Sequence, residues 1–274
     1  MFRLRRQPRP SSSARRPRVL MASGLVLSAV MVAFGSLVAV NAMARQTVQE
    51  KHTYDFAGST LDVDVALGEV QIVPGREGEI TVRRRLTYGL QRPFLEEKVD
   101  GDTFRVRDHN CTTPSPSPCQ IRWLLEVPRD VSVEVRTTEG AINVSGMSGK
   151  VKLTSLSGAV NASAPSGKLL TLRSKTGRVT ASNVSCAQVV ATSTDGPVSL
   201  TFRSAPSLVV GRSETGPVGV VLPSGDEPYQ ISAVSENGNG SKTIAVNKVD
   251  PDARRRIDVK SDKGDVSVVQ SPEN

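Results

Sequence analysis

The sequence predicts an all-β fold: a β-solenoid of repeated strand, glycine turn and strand units about 18–20 residues long, placed after one N-terminal transmembrane helix. Three observations carry this reading. A glycine-centred phrase recurs along most of the chain, aromatic residues make up only 4% of it, and a long uncharged apolar run lies near its start.

The phrase is clearest from Val131 to Val144, where alternating apolar residues lead to a turn at Gly140 and a second alternating stretch follows. It recurs around Gly158, Gly177, Gly196, Gly216, Gly238 and Gly264, and once earlier around Gly68. The slots seven and five before each glycine, and two and four after it, hold apolar residues in 29 of 32 cases. Composition alone would put about 12 there. Such period-two spacing predicts two half-buried strands per unit, with their apolar sides turned inward. The copy around Gly238 is degenerate, with Gly240 and Lys242 in two of the apolar slots.

Three residues before the glycine stands a serine or threonine in seven copies: Thr137, Ser155, Ser174, Ser193, Ser213, Ser235 and Ser261. Its hydroxyl can bond the backbone of the turn, and glycine is read here as the supplier of a positive φ. One unit cannot bury its own apolar face, so stacking must supply a continuous core. The thin core of Val, Ile, Leu and Ala leaves little room for rings. An antiparallel β-sandwich of hairpins is the alternative, because a turn closed by glycine also suits a hairpin.

The chain of 274 residues has a net charge of +8, but the excess is local. Residues 1–45 hold eight arginines and no acid, and the remainder balances 27 basic against 27 acidic side chains. That balance argues against a nucleic-acid partner. Residues 1–18 read as a basic cytoplasmic tail and residues 19–44 as a transmembrane helix or signal anchor, since about 20 apolar residues suffice to cross a bilayer. The arginines before the run keep the N-terminus cytoplasmic and export the rest. Cleavage near Ala44, at Ala42-Met43-Ala44, would instead give a secreted protein.

Residues 45–55 read as a spacer, 56–270 as an exported β-repeat domain, and 271–274 as a tail. Within the domain, 56–128 form a proximal cap and 129–270 the repeats. Asp100-Gly101 marks a hairpin in the cap. Cys111 and Cys119 flank a Pro- and Ser-rich loop and are expected to form a disulfide in an exported chain. Cys186 is left over and reads as a small buried residue.

Ile121 to Gly146 resembles the bacterial putative-adhesin family of β-strand-repeat proteins, a domain family of unknown function. The resemblance rests on Leu124-Leu125-Glu126-Val127-Pro128-Arg129-Asp130, a strand ending in proline and a polar turn, followed by the repeated units, and it extends over roughly residues 56–270. It implies a solenoid-like all-β fold, a place in the cell envelope and an association with envelope-stress systems. It brings no catalytic residues.

The residues themselves suggest no enzyme. His52 and His109, the two histidines, stand in no triad or zinc-binding pattern, and neither a cofactor nor a metal is expected. Glu214, Glu236 and Asp262, two before their glycines, could form an acidic patch like those of carbohydrate-active solenoids, or could be solvated turn carboxylates. Four before the glycine stand Arg136, Thr154, Arg173, Thr192, Arg212, Val234 and Lys260. If one unit is one coil, Arg136, Arg173 and Arg212 recur every second coil, with coils about 4.8 Å apart. Arg136, Arg173, Arg212 and Lys260 are therefore the candidate ligand-binding residues, toward an anionic envelope polymer. The alternation would equally well keep like charges apart on a solvated face. The functional expectation is an envelope-anchored interaction or adhesion module. A sensor or accessory subunit of an envelope-stress system, working through a membrane protein partner, is one alternative, and a solenoid carbohydrate-active enzyme is another.

Overall fold

The computed structural model describes residues 28, 30–36, 45–89, 92–109, 119–236 and 240–272. A helical stretch covers residues 30–36, and no helix among the described residues is long and apolar enough to cross a membrane. The run 19–44 lies mostly outside those residues, as do Cys111 and Gly238.

The rest is β-structure. Strands β1 (Gln46–Asp55), β2 (Thr60–Leu67), β3 (Glu69–Pro74), β4 (Glu79–Tyr88), β5 (Phe94–Asp100), β6 (Thr103–His109) and β7 (Cys119–Val127) come first. Strand pairs follow: β8 (Ser132–Glu139) with β9 (Ile142–Ser145), β10 (Val151–Ser157) with β11 (Val160–Ser163), and β12 (Leu169–Ser174) with β13 (Val179–Val184). Next are β14 (Gln188–Ser193) with β15 (Val198–Phe202), β16 (Leu208–Ser213) with β17 (Val218–Leu222), β18 (Tyr229–Ser235) with β19 (Lys242–Ala245), and β20 (Arg255–Ser261) with β21 (Val266–Gln270).

The two strands of a unit do not pair with each other. One joins a ten-stranded sheet in the order β18-β20-β16-β14-β12-β10-β8-β2-β6-β5, and the other an eleven-stranded sheet in the order β1-β4-β7-β3-β9-β11-β13-β15-β17-β21-β19. Successive units pair in parallel and in step: Leu153 lies beside Val135 and Leu172, and Ala162 beside Val144 and Ala181. A meander of hairpins is therefore excluded for the repeats. Inward residues of both sheets, such as Leu61, Val70, Val133, Ile142, Leu172, Val209 and Val266, meet in one continuous core.

Sequence order and stacking order part company at both ends. The copy around Gly68 is not set apart from the others, since β2 pairs with β8 and β3 with β9. The β6 and β7 pair lies beyond it, and β1, β4 and β5 complete the proximal end as antiparallel additions. The hairpin at Asp100-Gly101 forms, with Gly101 at φ +58°. At the distal end β20 and β21 insert between the β16–β17 pair and the β18–β19 pair.

The degenerate copy is therefore the terminal one. Its second strand is exposed throughout, and Lys242 and Ile244 occupy the slots beside Val266 and Val268. A polar last unit covers the open end of the stack and discourages further strand addition. Most of the buried large rings lie at the ends, Phe56, Phe104 and Trp123 proximally and Tyr229 distally, with Phe202 of β15 buried between them.

Candidate functional site

The turn glycines form a column, one per unit. A Cβ on Gly177 would lie 1.9 Å from the Gly158 carbonyl oxygen, and one on Gly140 would lie 1.7 Å from that of Gly68. The same near-contact repeats at Gly158, Gly196, Gly216 and Gly264. In the terminal unit Gly240 occupies this place, 2.3 Å from the Gly264 oxygen. Positive φ explains only part of the column: Gly68, Gly140 and Gly158 have it, whereas Gly177, Gly196, Gly216 and Gly264 do not. Close backbone approach between units is the general reason for glycine here.

The hydroxyl column serves the same contact. Ser174, Ser193, Ser213 and Ser261 each accept from the amide of their own glycine at 2.8–2.9 Å. Each also donates to the glycine carbonyl of the preceding unit in the stack, at 2.8–2.9 Å. The serine-to-glycine bond within a turn is readable from spacing, but the bond between units becomes visible only once the stacking is known.

Arg136, Thr154, Arg173, Thr192 and Arg212 do stand side by side in this order. The end of the column is corrected: Lys260 lies directly beside Arg212, and Val234 lies beyond it. Most of its charge is matched locally. Arg136 pairs with Asp62 and Glu134, Arg212 with Asp258 at 3.6 Å, and Lys260 with Glu236 at 2.8 Å and Asp262 at 3.4 Å. Arg173 alone of the four has no ion pair among the described residues. Glu236 and Asp262, two of the three candidate acidic-patch residues, are thus taken up by Lys260, and Glu214 is exposed on its turn.

Cys186 is free and buried, and burial pushes its thiol up to about 11, which suits a packing role. Cys119 is disulfide-bonded. His52 and His109 lie near Glu97 and Glu96 respectively.

A polar network at the proximal end is absent from the sequence reading. Glu97 of β5, with a side chain only 4% exposed, accepts from Tyr54 Oη at 2.7 Å, lies 3.1 Å from His52 Nδ1, and pairs with Arg84. Arg84 also binds Glu50 at 2.7 Å and lies 6.0 Å from the centre of the Trp123 ring. The network ties β1 and β4 of one sheet to β5 of the other, over the end of the core. Burial pushes the Tyr54 hydroxyl up to about 12, with the Glu97 carboxylate adding to the effect. Burial would also raise Glu50, but hydrogen bonds and charge from Arg84 and Arg92 outweigh it and hold that carboxyl below its ordinary value. The signal in the sequence is Arg84 itself, which stands in the inward alternation of Ile80, Val82 and Leu86.

Together these features define an all-β repeat protein whose two long sheets are parallel except at the proximal end. The family model described as Toastrack DUF4097 matches residues 130–269, just over half of the chain, and the chain belongs to that family. Among solved structures it is similar to a "putative adhesin" of Parabacteroides distasonis (TM-score 0.43, 9% identity, 82% of this chain and 97% of that one covered). It is similar also to a "putative adhesin" of Bacteroides fragilis (TM-score 0.40, 10% identity, 82% and 97% covered). A "putative lipid binding protein" of Parabacteroides distasonis is a further match (TM-score 0.35, 11% identity, 82% and 95% covered). No curated protein sequence matches the chain.

Proposed function

We propose that the chain is a membrane-anchored interaction or adhesion module of the cell envelope, a β-solenoid without catalytic activity of its own. One observation carries the reading. Units stacked in step turn every outward position into a straight column of side chains about 4.8 Å apart, a geometry suited to an extended polymer or another protein surface. The apolar run at 19–44 supplies the anchor, and Val30, Met31, Val32 and Phe34 are exposed on the described helical part of it. The basic tail before it sets a cytoplasmic N-terminus. The partner is an anionic envelope polymer or a membrane protein.

An accessory or sensor role in an envelope-stress system is the second reading. The proximal network supports it, because the network joins both sheets at the strand that directly follows the apolar run. Protease accessibility of the full chain in cells, with a C-terminal tag, tests location. Membrane-bound chain whose tag is removed from outside supports the proposal. Tagged chain in the cytosol contradicts it, and a shorter soluble product outside the membrane indicates cleavage near Ala44.

A further inference from the structure

We infer that the outer face of β1, β4 and β7 binds the phosphate groups of anionic lipid headgroups, on the membrane from which β1 emerges; this rests on the anchor reading above. Alternation along the Arg83-Arg84-Arg85 triplet sends Arg84 inward and leaves Arg83 and Arg85 exposed. Lys51 lies directly opposite Arg83, and Arg122 directly opposite Arg85. Two adjacent rows of the sheet thus carry cation against cation, an arrangement that disfavours the antiparallel pairing.

Neighbouring acids offset only half of it. Glu126 pairs with Arg83 at 2.9 Å and Glu69 with Arg122 at 3.0 Å. Lys51 and Arg85 have no ion pair among the described residues, and the neutral amide of Gln49 is the group beside Arg85. A depression of about 260 Å³ lies at this face, with Lys51, Arg83, Arg85, Arg122 and Leu124 in its lining beside Glu50, whose charge Arg84 and Arg92 match. The arginine column of the other sheet differs, since carboxylates already match most of it.

Protection of an open sheet edge does not account for the pattern. The edge strand β1 contributes only Lys51, whereas the three arginines lie on β4 and β7 inside the sheet. Position points to the membrane. The row of Gln49, Arg85 and Arg122 is three residues past the start of β1 at Gln46, about 10 Å along the strand. The uncharged run ends at Ala44, five residues before Gln49, so the nearer row lies at most about 17 Å from the surface, about two Debye lengths at physiological ionic strength. Guanidinium groups there suit phosphate oxygens presented side by side.

The test uses the full chain in nanodiscs of phosphatidylcholine, with and without phosphatidylglycerol, and follows acylation of Lys51 against Lys175, an exposed residue in the middle of the stack. Phosphatidylglycerol is expected to slow labelling of Lys51 several-fold and leave Lys175 unchanged, with protection lost at high salt. Arg85→Gln, which strands no carboxylate, is expected to weaken the interaction about fivefold while melting at or above the temperature of the parent chain. Equal Lys51 labelling in both discs overturns the inference. Protection by inorganic phosphate alone, in phosphatidylcholine discs, overturns the lipid assignment. If the chain does not stay with the discs, the anchor reading fails, and vesicles of the same two compositions decide the face separately. Retention on anionic vesicles that Arg85→Gln weakens supports it, and no retention overturns it.

Discussion

The hydroxyl of Ser174 donates to the Gly158 carbonyl at 2.9 Å and accepts from the Gly177 amide at the same distance. One buried side chain therefore closes its own turn and fastens it to the preceding unit, at the point where a Cβ on Gly177 would strike the same carbonyl. Repetition of this contact keeps the turns of successive units in step, and with them the outward columns.

Gly177→Ala should destabilise the protein by about 2–4 kcal/mol, because the obstruction is backbone and cannot rotate away. Gly219→Ala is the control. Its nearest neighbour is Ser267 Oγ at 3.4 Å on the outer face, and its effect should stay within about 0.5 kcal/mol. Urea melts of both variants check the difference.

Ser193→Ala should cost about 1–3 kcal/mol, since it leaves the Gly196 amide and the Gly177 carbonyl without their partner. Combined with Ser213→Ala, whose hydroxyl binds the Gly196 carbonyl, the losses should depart from additivity by at least about 0.5 kcal/mol. A double-mutant cycle measures this.

Repetition made the stacking legible in advance. The inward slots, the hydroxyl column and the alternation of Arg136 with Thr154 all follow from counting back from glycine. The order of units at the ends was not legible, because β2 and β20 insert between partners far away in sequence, and local spacing holds no record of that. The Gly238 copy misled for a related reason. Two extra residues between Ser235 and Gly240 shift the terminal turn, so the glycine that meets Gly264 is Gly240. The proximal network escaped notice because its members come from β1, β4 and β5, each one unremarkable alone.

Arg84→Met should destabilise by about 3 kcal/mol, because it leaves the buried Glu97 carboxylate without its cation. Arg173→Gln, on an exposed and unpaired site, should change stability by less than about 0.5 kcal/mol. Thermal melts of the two variants separate a structural ion pair from surface charge.

Stability should fall at both ends of the pH range. Glu50 is held below its ordinary value of 4.5, so its contribution is present above that pH and is lost as pH falls further. Tyr54 is raised from 10.0 to about 12, so its contribution is complete below pH 10 and disappears as pH rises through 12. Glu50→Gln should flatten the acid limb and Tyr54→Phe the alkaline limb of melts recorded across pH. Buried Tyr229, also raised, leaves part of the alkaline slope in place.

Capture of the full chain by isolated cell-envelope fractions, at low and high salt, tests the interaction-module reading most directly. The account predicts salt-sensitive retention through the outer faces, weakened by Lys51→Gln with Arg85→Gln and much less by substitutions in the carboxylate-matched column at Arg136 and Arg212. Absence of retention at any salt concentration, for the intact chain, would contradict it.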